Sequence, residues 1–245
     1  MYVDAHNHLE LYGDKLNEAL KDIRENHIIT LACSMDEESY LFARSLSKDN
    51  QIIIPCFGVH PWRAHNNYKD LDRFEKYIKE TPIIGEIGLD FHWVLERERY
   101  PNQLKVLKYF LEKAREYNKV TNLHTKGAER EILDLIKQYN LRTPIIHWYS
   151  GPVDLISKFI EYGCYFTISV DIGYSKLTEE IVKTIPIDRI LTETDGPTAL
   201  EWVNGEYGYP SYIKNIVNKI STIKNLPEKE VKKAIEDNLK TLINI

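Results

Sequence analysis

The sequence predicts an α/β protein, specifically a (β/α)8 TIM-type barrel followed by C-terminal helices. Short apolar runs rich in β-branched residues recur along the 245-residue chain, and longer polar stretches with helical periodicity separate them. Eight such runs alternating with helices are typical of a parallel barrel. A doubly wound open sheet is the alternative, but no glycine-rich nucleotide-binding turn follows the first run. The eight predicted strands are YVDAH at the start, then 28–33, 52–60, 82–90, 119–124, 143–148, 164–170 and 189–195.

Helical periodicity marks three stretches between the strands and two after the last one. Residues 104–117 repeat apolar side chains at spacings of three or four residues, and 129–139 and 152–162 are similar. After the eighth strand, 210–225 and 226–245 each carry a proline near the start, which the first helical turn tolerates. The last helix has an apolar stripe that should pack on the outside of the barrel, and we assign it no chemistry. We expect one domain from 1 to 245.

Composition and charge indicate an ordinary soluble globular protein. Hydrophobic residues make up 43% of the chain, and 32 basic against 37 acidic residues give a net charge of -5. This balance offers no global case for nucleic-acid binding, although a local basic patch is still possible on these numbers.

The three cysteines show no C-x-x-C spacing, which favours buried thiols. No run approaches the ~18 apolar residues of a membrane span, and no signal peptide is recognisable, so we expect a cytoplasmic protein without membrane contact. The oligomeric state stays open, with a monomer as the default.

Side chains that bind metals fall at the ends of most predicted strands. His6 and His8 lie two residues apart on the first strand, so they share one face with Asp4. Because the carboxyl ends of parallel barrel strands converge on one face, we expect the strand-end groups to cluster there. The further strand-end residues are His60 on the third strand, Glu86 and Asp90 on the fourth, His124 on the fifth, His147 on the sixth and Asp195 on the eighth.

Each of these residues has a simpler interpretation when it is considered alone. A single histidine at a strand end is usually a hydrogen-bonded structural residue, and a single carboxylate there often caps the next helix. Six imidazole and carboxylate groups on one rim, however, would repel one another or lack partners without a cation. Two divalent ions bridged by one carboxylate would satisfy all six, and mixed nitrogen and oxygen ligands suit zinc, manganese or magnesium.

Six motifs, in the order DAHNH, GVHPW, GEIGLD, LHTKGAE, HWYSG and LTETDGP, run from Val3 to about Pro197. This series resembles the TatD family of metal-dependent deoxyribonucleases within the amidohydrolase-like superfamily, and the final DNLKTLI is similar to the family's closing helix. The resemblance implies that His6 and His8 bind a first metal with Asp195, that Glu86 bridges both metals, and that His124 and His147 bind the second. His60 would face the substrate, and Asp195 is the natural general base.

The substrate side departs from the family pattern. Lys126 stands where the family usually has arginine, Trp62 follows GVHP where a second histidine is common, and NGEYGYPSY replaces the usual R-N-x-P segment. Lys126 and His60 are candidates to hold a phosphate, although lysine lacks the bidentate fork of arginine. Aromatic residues that follow strand ends could stack on bases or could be core residues instead. These residues are Trp62, Trp93, Tyr149 and Trp202.

Three functions are compatible with these residues. The first is a DNase or phosphodiesterase, an exonuclease on single-stranded or frayed DNA ends that uses a water activated by two metals. The second is an enzyme of the same fold that acts on an amide, ester or lactone, and the third is a metal-binding partner module without catalysis. Many two-metal barrels of this superfamily bridge their ions with a modified lysine, so Glu86 in that place favours the first function. The chain has no G-x-S-x-G or H-E-x-x-H sequence.

Overall fold

The computed structural model describes residues 1–243, in which helices and strands alternate. The strands are β1 (Tyr2–Asn7), β2 (Ile28–Cys33), β3 (Ile53–Cys56), β4 (Ile83–Gly88), β5 (Val120–His124), β6 (Ile145–Ile146), β7 (Tyr165–Ile168) and β8 (Ile190–Thr192). The helices are α1 (Leu16–Glu25), α2 (Glu37–Ser47), α3 (Ala64–Asn67), α4 (Glu75–Glu80), α5 (Tyr100–Glu116), α6 (Glu129–Tyr139), α7 (Ile156–Glu161), α8 (Lys176–Thr184), α9 (Thr198–Asn204), α10 (Ile213–Lys224) and α11 (Glu228–Ile243). Among these residues, no helix is long and apolar enough to cross a membrane.

The predicted elements are found, with differences at their ends. β2 and α6 have the predicted bounds, whereas β3 and β6 are shorter than 52–60 and 143–148 because the chain leaves the sheet before the polar strand-end residues. α5 begins four residues earlier than predicted, with Pro101 in its first turn. The sequence reading missed α9, which occupies TALEWVN after the eighth strand. Cys33, Cys56 and Cys164 are buried free thiols, as expected.

The chain forms two compact units, and the first comprises Met1–Ala32, Phe42–Ile54 and the segment from Phe166 onward. In unit 1, β1 runs parallel to β2 and β7 runs parallel to β8. The hydroxyl of Thr192 in β8 donates a hydrogen bond to the carbonyl of Val3 in β1, 2.6 Å away. α10 and α11 pack against β1 and β8. The apolar stripe of α11 is buried, as expected, and consists of Val231, Ile235, Leu239 and Leu242.

The second unit comprises Cys33–Leu41 and Pro55–Tyr165. In unit 2, β4, β5 and β6 pair in parallel, and the backbone N–H of Gly85 in β4 donates to the carbonyl of Phe57 just after β3, at 2.9 Å. The Phe57 ring lies at the centre of an aromatic core, with ring centroids 5.0–5.8 Å from those of its neighbours. These neighbours are Tyr40, Phe74, Tyr77 and Phe110. The parallel pairings and the alternation with helices confirm the α/β class; the single domain from 1 to 245 stays a prediction.

Two glycines let the strands of unit 2 approach closely around the polar residues. A Cβ atom at Gly58 would lie 2.2 Å from the carbonyl oxygen of Glu86. A Cβ atom at Gly88 would lie 2.0 Å from the carbonyl oxygen of His124. Only glycine fits at these positions, so GVH and GEIG place Glu86 and His124 in register by backbone contact.

Candidate metal centre

The first cluster of candidate ligands lies in unit 1 and consists of His6, His8 and Asp195. The Nε2 atoms of the two histidines are 3.2 Å apart, and the Oδ1 atom of Asp195 is 3.9 Å from Nε2 of His6 and 3.5 Å from Nε2 of His8. Both imidazoles are buried, and Asp195 is half-buried. One donor atom from each residue can therefore converge on a single point, since the three atoms lie within 4.8 Å of one another.

Backbone and side-chain bonds from β1 hold Asp195 in an unusual conformation. Its φ of 44° is in the left-handed region, which costs energy for a residue with a side chain and is often found at functional sites. The N–H of Asp195 donates to the carbonyl of His6 at 3.0 Å. The Asp4 carboxylate accepts from the N–H of Thr194 at 2.8 Å and from its hydroxyl at 2.6 Å. Burial raises the pKa of Asp4 to about 7, although these hydrogen bonds oppose the shift.

The second cluster lies in unit 2 and centres on the carboxylate of Glu86. Its Oε1 atom is 2.8 Å from Nδ1 of His124, 3.2 Å from Nε2 of His147 and 3.3 Å from Nε2 of His60. All four side chains are buried. One carboxylate oxygen thus faces three imidazoles, one at the end of β5 and two in the segments that follow β3 and β6.

Asp90 completes this cluster from the other side of His124, a contact that the predicted ligand set did not include. Its Oδ2 atom lies 3.1 Å from Nε2 of His124 and accepts a hydrogen bond from the indole N–H of Trp62 at 2.7 Å. The Gln103 amide holds the Asp90 backbone through bonds of 2.8 and 3.1 Å. Burial would raise the pKa of Asp90, but its bonds to His124, Trp93 and Trp62 outweigh burial and lower it. Burial would lower the pKa of His124, but its contacts with Asp90 and Glu86 outweigh burial and raise it.

The predicted phosphate-binding lysine follows β5 and contacts the loop after β6. The ammonium group of Lys126 donates to the carbonyl of Trp148 and to the hydroxyl of Ser150, each at 2.8 Å. It also lies 4.9 Å from the centroid of the Trp148 ring. These contacts fix the position of the positive charge beside the strands that carry His124 and His147.

The four aromatic residues that follow strand ends differ in exposure. Trp62, Trp93 and Trp202 are exposed, and Trp93 keeps 61% of its surface accessible. Tyr149 is only 2% exposed, and its hydroxyl donates to the carbonyl of Pro152 at 2.6 Å. Of the two alternatives, Tyr149 is therefore a core residue, because this ring packs inside unit 2.

The residues of both clusters fit divalent metal ions. Unit 1 offers two imidazoles and one carboxylate, and unit 2 offers the Glu86 carboxylate facing three imidazoles, with Asp90 behind one of them. Buried sets of nitrogen and oxygen donors at such spacings are the usual ligands of zinc and related ions. Of the six predicted ligands, the structure thus brings His6, His8 and Asp195 together in unit 1, and Glu86, His124 and His147 together in unit 2.

Comparison with known protein families shows which family has these clusters. The sequence model of the TatD-related DNase family matches residues 3–244. The chain belongs to this family. The match confirms the resemblance of the six motifs, and it extends through the helices that follow β8.

Relatives of this TatD-family chain include hydrolases and a named nuclease. An uncharacterized metal-dependent hydrolase of Methanocaldococcus jannaschii is 30% identical over 244 residues, covering 97% of this chain and 94% of that protein. The deoxyribonuclease TATDN3 of Homo sapiens is 27% identical over 213 residues, covering 80% of this chain and 77% of that protein. Family membership identifies the chain as a metal-dependent hydrolase.

A solved TatD structure confirms the predicted fold. The YJJV protein of Escherichia coli K12, a TatD homologue, superposes with a TM-score of 0.88 at 20% identity, covering 100% of this chain and 98% of that one. The chain therefore has the (β/α)8 TIM-barrel fold, and the open-sheet alternative is ruled out.

Proposed function

We propose that this protein is a metal-dependent deoxyribonuclease that hydrolyses phosphodiester bonds at single-stranded or frayed DNA ends. The observation that carries this proposal is the pair of buried imidazole–carboxylate clusters in a chain of the TatD-related DNase family. A relative that bears the name deoxyribonuclease adds support for DNA as the substrate.

The proposed centre holds two divalent ions, either zinc, magnesium or manganese. As the family pattern implies, His6, His8 and Asp195 would hold one ion, His124 and His147 would hold the other, and Glu86 would serve both. Such ions supply Lewis acidity for activating water and for balancing charge on phosphoryl oxygens.

Asp195 is the proposed general base of the hydrolysis. Its carboxylate is partly exposed, and its Oδ1 atom lies 3.5 Å from Nε2 of His8, so the group lies beside the histidines and can still be reached by water. The left-handed backbone and the N–H bond to His6 restrict its orientation. A carboxylate held in this way loses little entropy when it takes up the proton.

His60 is proposed to contact the substrate and not the metals. Its Nδ1 atom accepts a hydrogen bond from the N–H of Trp62 at 3.1 Å. A neutral imidazole that accepts at Nδ1 carries its proton on Nε2, so Nε2 is a donor and not a metal ligand. This N–H can donate to a phosphate oxygen or to the leaving group, with the Lys126 ammonium supplying further positive charge.

The DNA substrate is proposed to be a short unpaired end. With a net charge of -5, the chain has no basic tract for a long duplex footprint. Exposed tryptophans beside strand ends can instead stack on unpaired bases, which duplex DNA keeps inside the helix.

An end-labelled single-stranded oligonucleotide, incubated with Mg²⁺, Mn²⁺ or Zn²⁺, tests the proposal. We expect a ladder of shortened products that a chelator abolishes and added metal restores. Asp195→Asn keeps the shape of the side chain but removes the base, and should lower kcat by ~10²–10⁴-fold with a smaller change in KM. A fully active Asp195→Asn enzyme, or a metal-loaded protein that leaves the oligonucleotide intact, would refute it.

Hydrolysis of a neutral ester or lactone is the second candidate. It is favoured by Lys126, whose ammonium already bonds to Trp148 and Ser150 and lacks the fork that binds phosphate in two places. Turnover of a lactone but not of the oligonucleotide would select this candidate. Metal binding without turnover of either substrate would indicate a non-catalytic partner module.

A further inference from the structure

We propose that Asp90 is a positioning residue for His124: its carboxylate holds the imidazole proton on Nε2 and so directs Nδ1 toward the metal. The inference rests on the proposed function only in taking His124 as a metal ligand. It does not depend on which substrate is hydrolysed.

The Asp90 carboxylate is fully buried and serves four hydrogen-bond donors. Its Oδ2 atom faces Nε2 of His124 at 3.1 Å and the indole N–H of Trp62 at 2.7 Å. Its Oδ1 atom accepts from the backbone N–H groups of His92 at 3.0 Å and Trp93 at 2.7 Å. The two oxygens thus have different partners. Oδ1 binds backbone N–H groups of the loop after β4, and Oδ2 contacts the imidazole of His124.

The contact with Oδ2 determines where the ring of His124 carries its proton. A carboxylate oxygen that already accepts from the indole of Trp62 can only accept again, so Nε2 must be the donor. The opposite nitrogen, Nδ1, lies 2.8 Å from Oε1 of Glu86 and 3.3 Å from Nε2 of His147. With the proton on Nε2, the lone pair of Nδ1 is available to a cation among these groups.

Without Asp90, the competing tautomer would gain population. A proton on Nδ1 can donate to Glu86, and it then blocks the nitrogen that a cation requires. Because Glu86 attracts that proton from the metal side, an acceptor is needed at Nε2 to favour the productive tautomer. Asp90 is the acceptor that the fold supplies, and Gln103 fixes its backbone at both N–H and C=O.

Asparagine at position 90 cannot replace the carboxylate. Its single carbonyl oxygen can serve either the two loop N–H groups or the pair of His124 and Trp62. In either orientation its amide N–H₂ points at groups that are themselves donors. Asp90→Asn therefore weakens the hydrogen bond that keeps the proton on Nε2 of His124, with almost no change in side-chain volume.

The test is zinc affinity, measured by chelator competition on metal-free protein. We expect Asp90→Asn to weaken binding by ~10–100-fold, the usual effect of losing an outer partner of a metal-binding histidine. Tyr100→Phe is the matched control, because the Tyr100 hydroxyl bonds to the carbonyl of Val94 at 3.0 Å and so orders the same loop without contacting the carboxylate. Tyr100→Phe should keep wild-type affinity. Equal losses in both variants would assign the effect to loop order and overturn the proposal, as would an unchanged affinity in Asp90→Asn.

A second measurement on the wild-type protein covers the case in which Asp90→Asn fails to fold. In zinc-loaded protein with ¹⁵N-labelled histidine, His124 should show a bonded proton on Nε2 and none on Nδ1. A proton on Nδ1, or a protein that binds no zinc, overturns the inference. Absence of DNA hydrolysis with normal zinc binding would overturn the proposed substrate alone.

Discussion

The Nε2 atoms of His6 and His8 lie 3.2 Å apart in the interior of unit 1. If both imidazoles are neutral, one of these nitrogens donates a hydrogen bond to the other. The Asp195 carboxylate stands 3.5 Å from the same atom of His8. A divalent cation would bind all three groups at once, so we expect metal to stabilise this arrangement.

Metal removal should therefore lower thermal stability. A ligand that binds only the folded state at 100 times its Kd stabilises it by ~2.7 kcal/mol, which corresponds to roughly 5–10 °C in Tm for a chain of this size. We expect a chelator to lower the Tm by this amount and a divalent ion in excess to restore it, as measured by scanning calorimetry. His8→Ala should remove much of the metal-induced gain.

His27→Asn is the control for that variant. His27 is exposed and has a φ of 51°, a conformation that asparagine tolerates. Its Tm should respond to metal as the wild type does. A chelator-insensitive wild-type Tm would count against metal binding by the first cluster.

Substitution of the central carboxylate of the second cluster should abolish metal-dependent hydrolysis. In Glu86→Gln, the oxygen that faces three imidazoles at 2.8–3.3 Å loses its negative charge, so cations at this site are bound less tightly. We expect activity to fall by at least ~10²-fold and metal content by elemental analysis to drop. Glu98→Gln, at an exposed position, should behave as the wild type. Full activity of Glu86→Gln in the presence of chelator would rule out the mechanism.

The strand pattern made the fold and the ligand candidates predictable. A strand that is buried on both faces needs a continuous run of apolar residues, so such runs reveal the strands. The bounds of β2 were predicted to the residue. The C-terminal ends of parallel strands must meet, so His124 and Glu86 could be assigned to one place before their distance was known.

Contacts that depend on distant residues could not be predicted in the same way. An aspartate after a strand is usually a cap, and nothing local reveals that Asp90 bonds to Trp62, 28 residues earlier, and to His124, 34 residues later. The burial of Tyr149 depends on packing against Phe159 and on a hydroxyl bond to Pro152. Such features follow from tertiary geometry and not from periodicity.

Lys126 should affect substrate binding more than turnover. Its fixed ammonium would attract a phosphate, so Lys126→Ala should raise KM for an oligonucleotide and weaken the salt dependence of kcat/KM. A neutral ester should be hydrolysed equally by both enzymes. Lys108→Ala, at an exposed position of α5, is the matched control. Unchanged oligonucleotide kinetics in Lys126→Ala would show that this lysine only joins the loops after β5 and β6.

The exposed indole of Trp93 should bind an unpaired base. The Asp90 carboxylate accepts a hydrogen bond from the backbone N–H of Trp93 at 2.7 Å, which fixes the backbone of the loop that carries the ring. Stacking on a base is worth ~1–3 kcal/mol, so Trp93→Ala should raise KM for single-stranded DNA by ~5–100-fold. A phosphodiester without a base, such as bis(p-nitrophenyl) phosphate, should show no difference. An equal loss with that compound would point to a disturbed metal centre.

The close approach of β4 and β5 should make Gly88 intolerant of any side chain. A methyl group there would lie 2.0 Å from the carbonyl oxygen of His124, and both atoms belong to paired strands that cannot move apart freely. We expect Gly88→Ala to cost at least ~3 kcal/mol in urea unfolding and to weaken zinc binding through the displaced His124.

Gly205→Ala separates this steric effect from the backbone preference of glycine. Gly205 has a φ of 85°, and among the described residues no neighbouring atom lies within 4 Å of a Cβ built there. Its substitution should cost only about 1 kcal/mol, the strain of a left-handed residue, and leave zinc affinity unchanged. If the two variants lose the same stability and both keep wild-type zinc affinity, then β4 and β5 adjust to the added methyl group, and the glycine of GEIG does not set the position of His124.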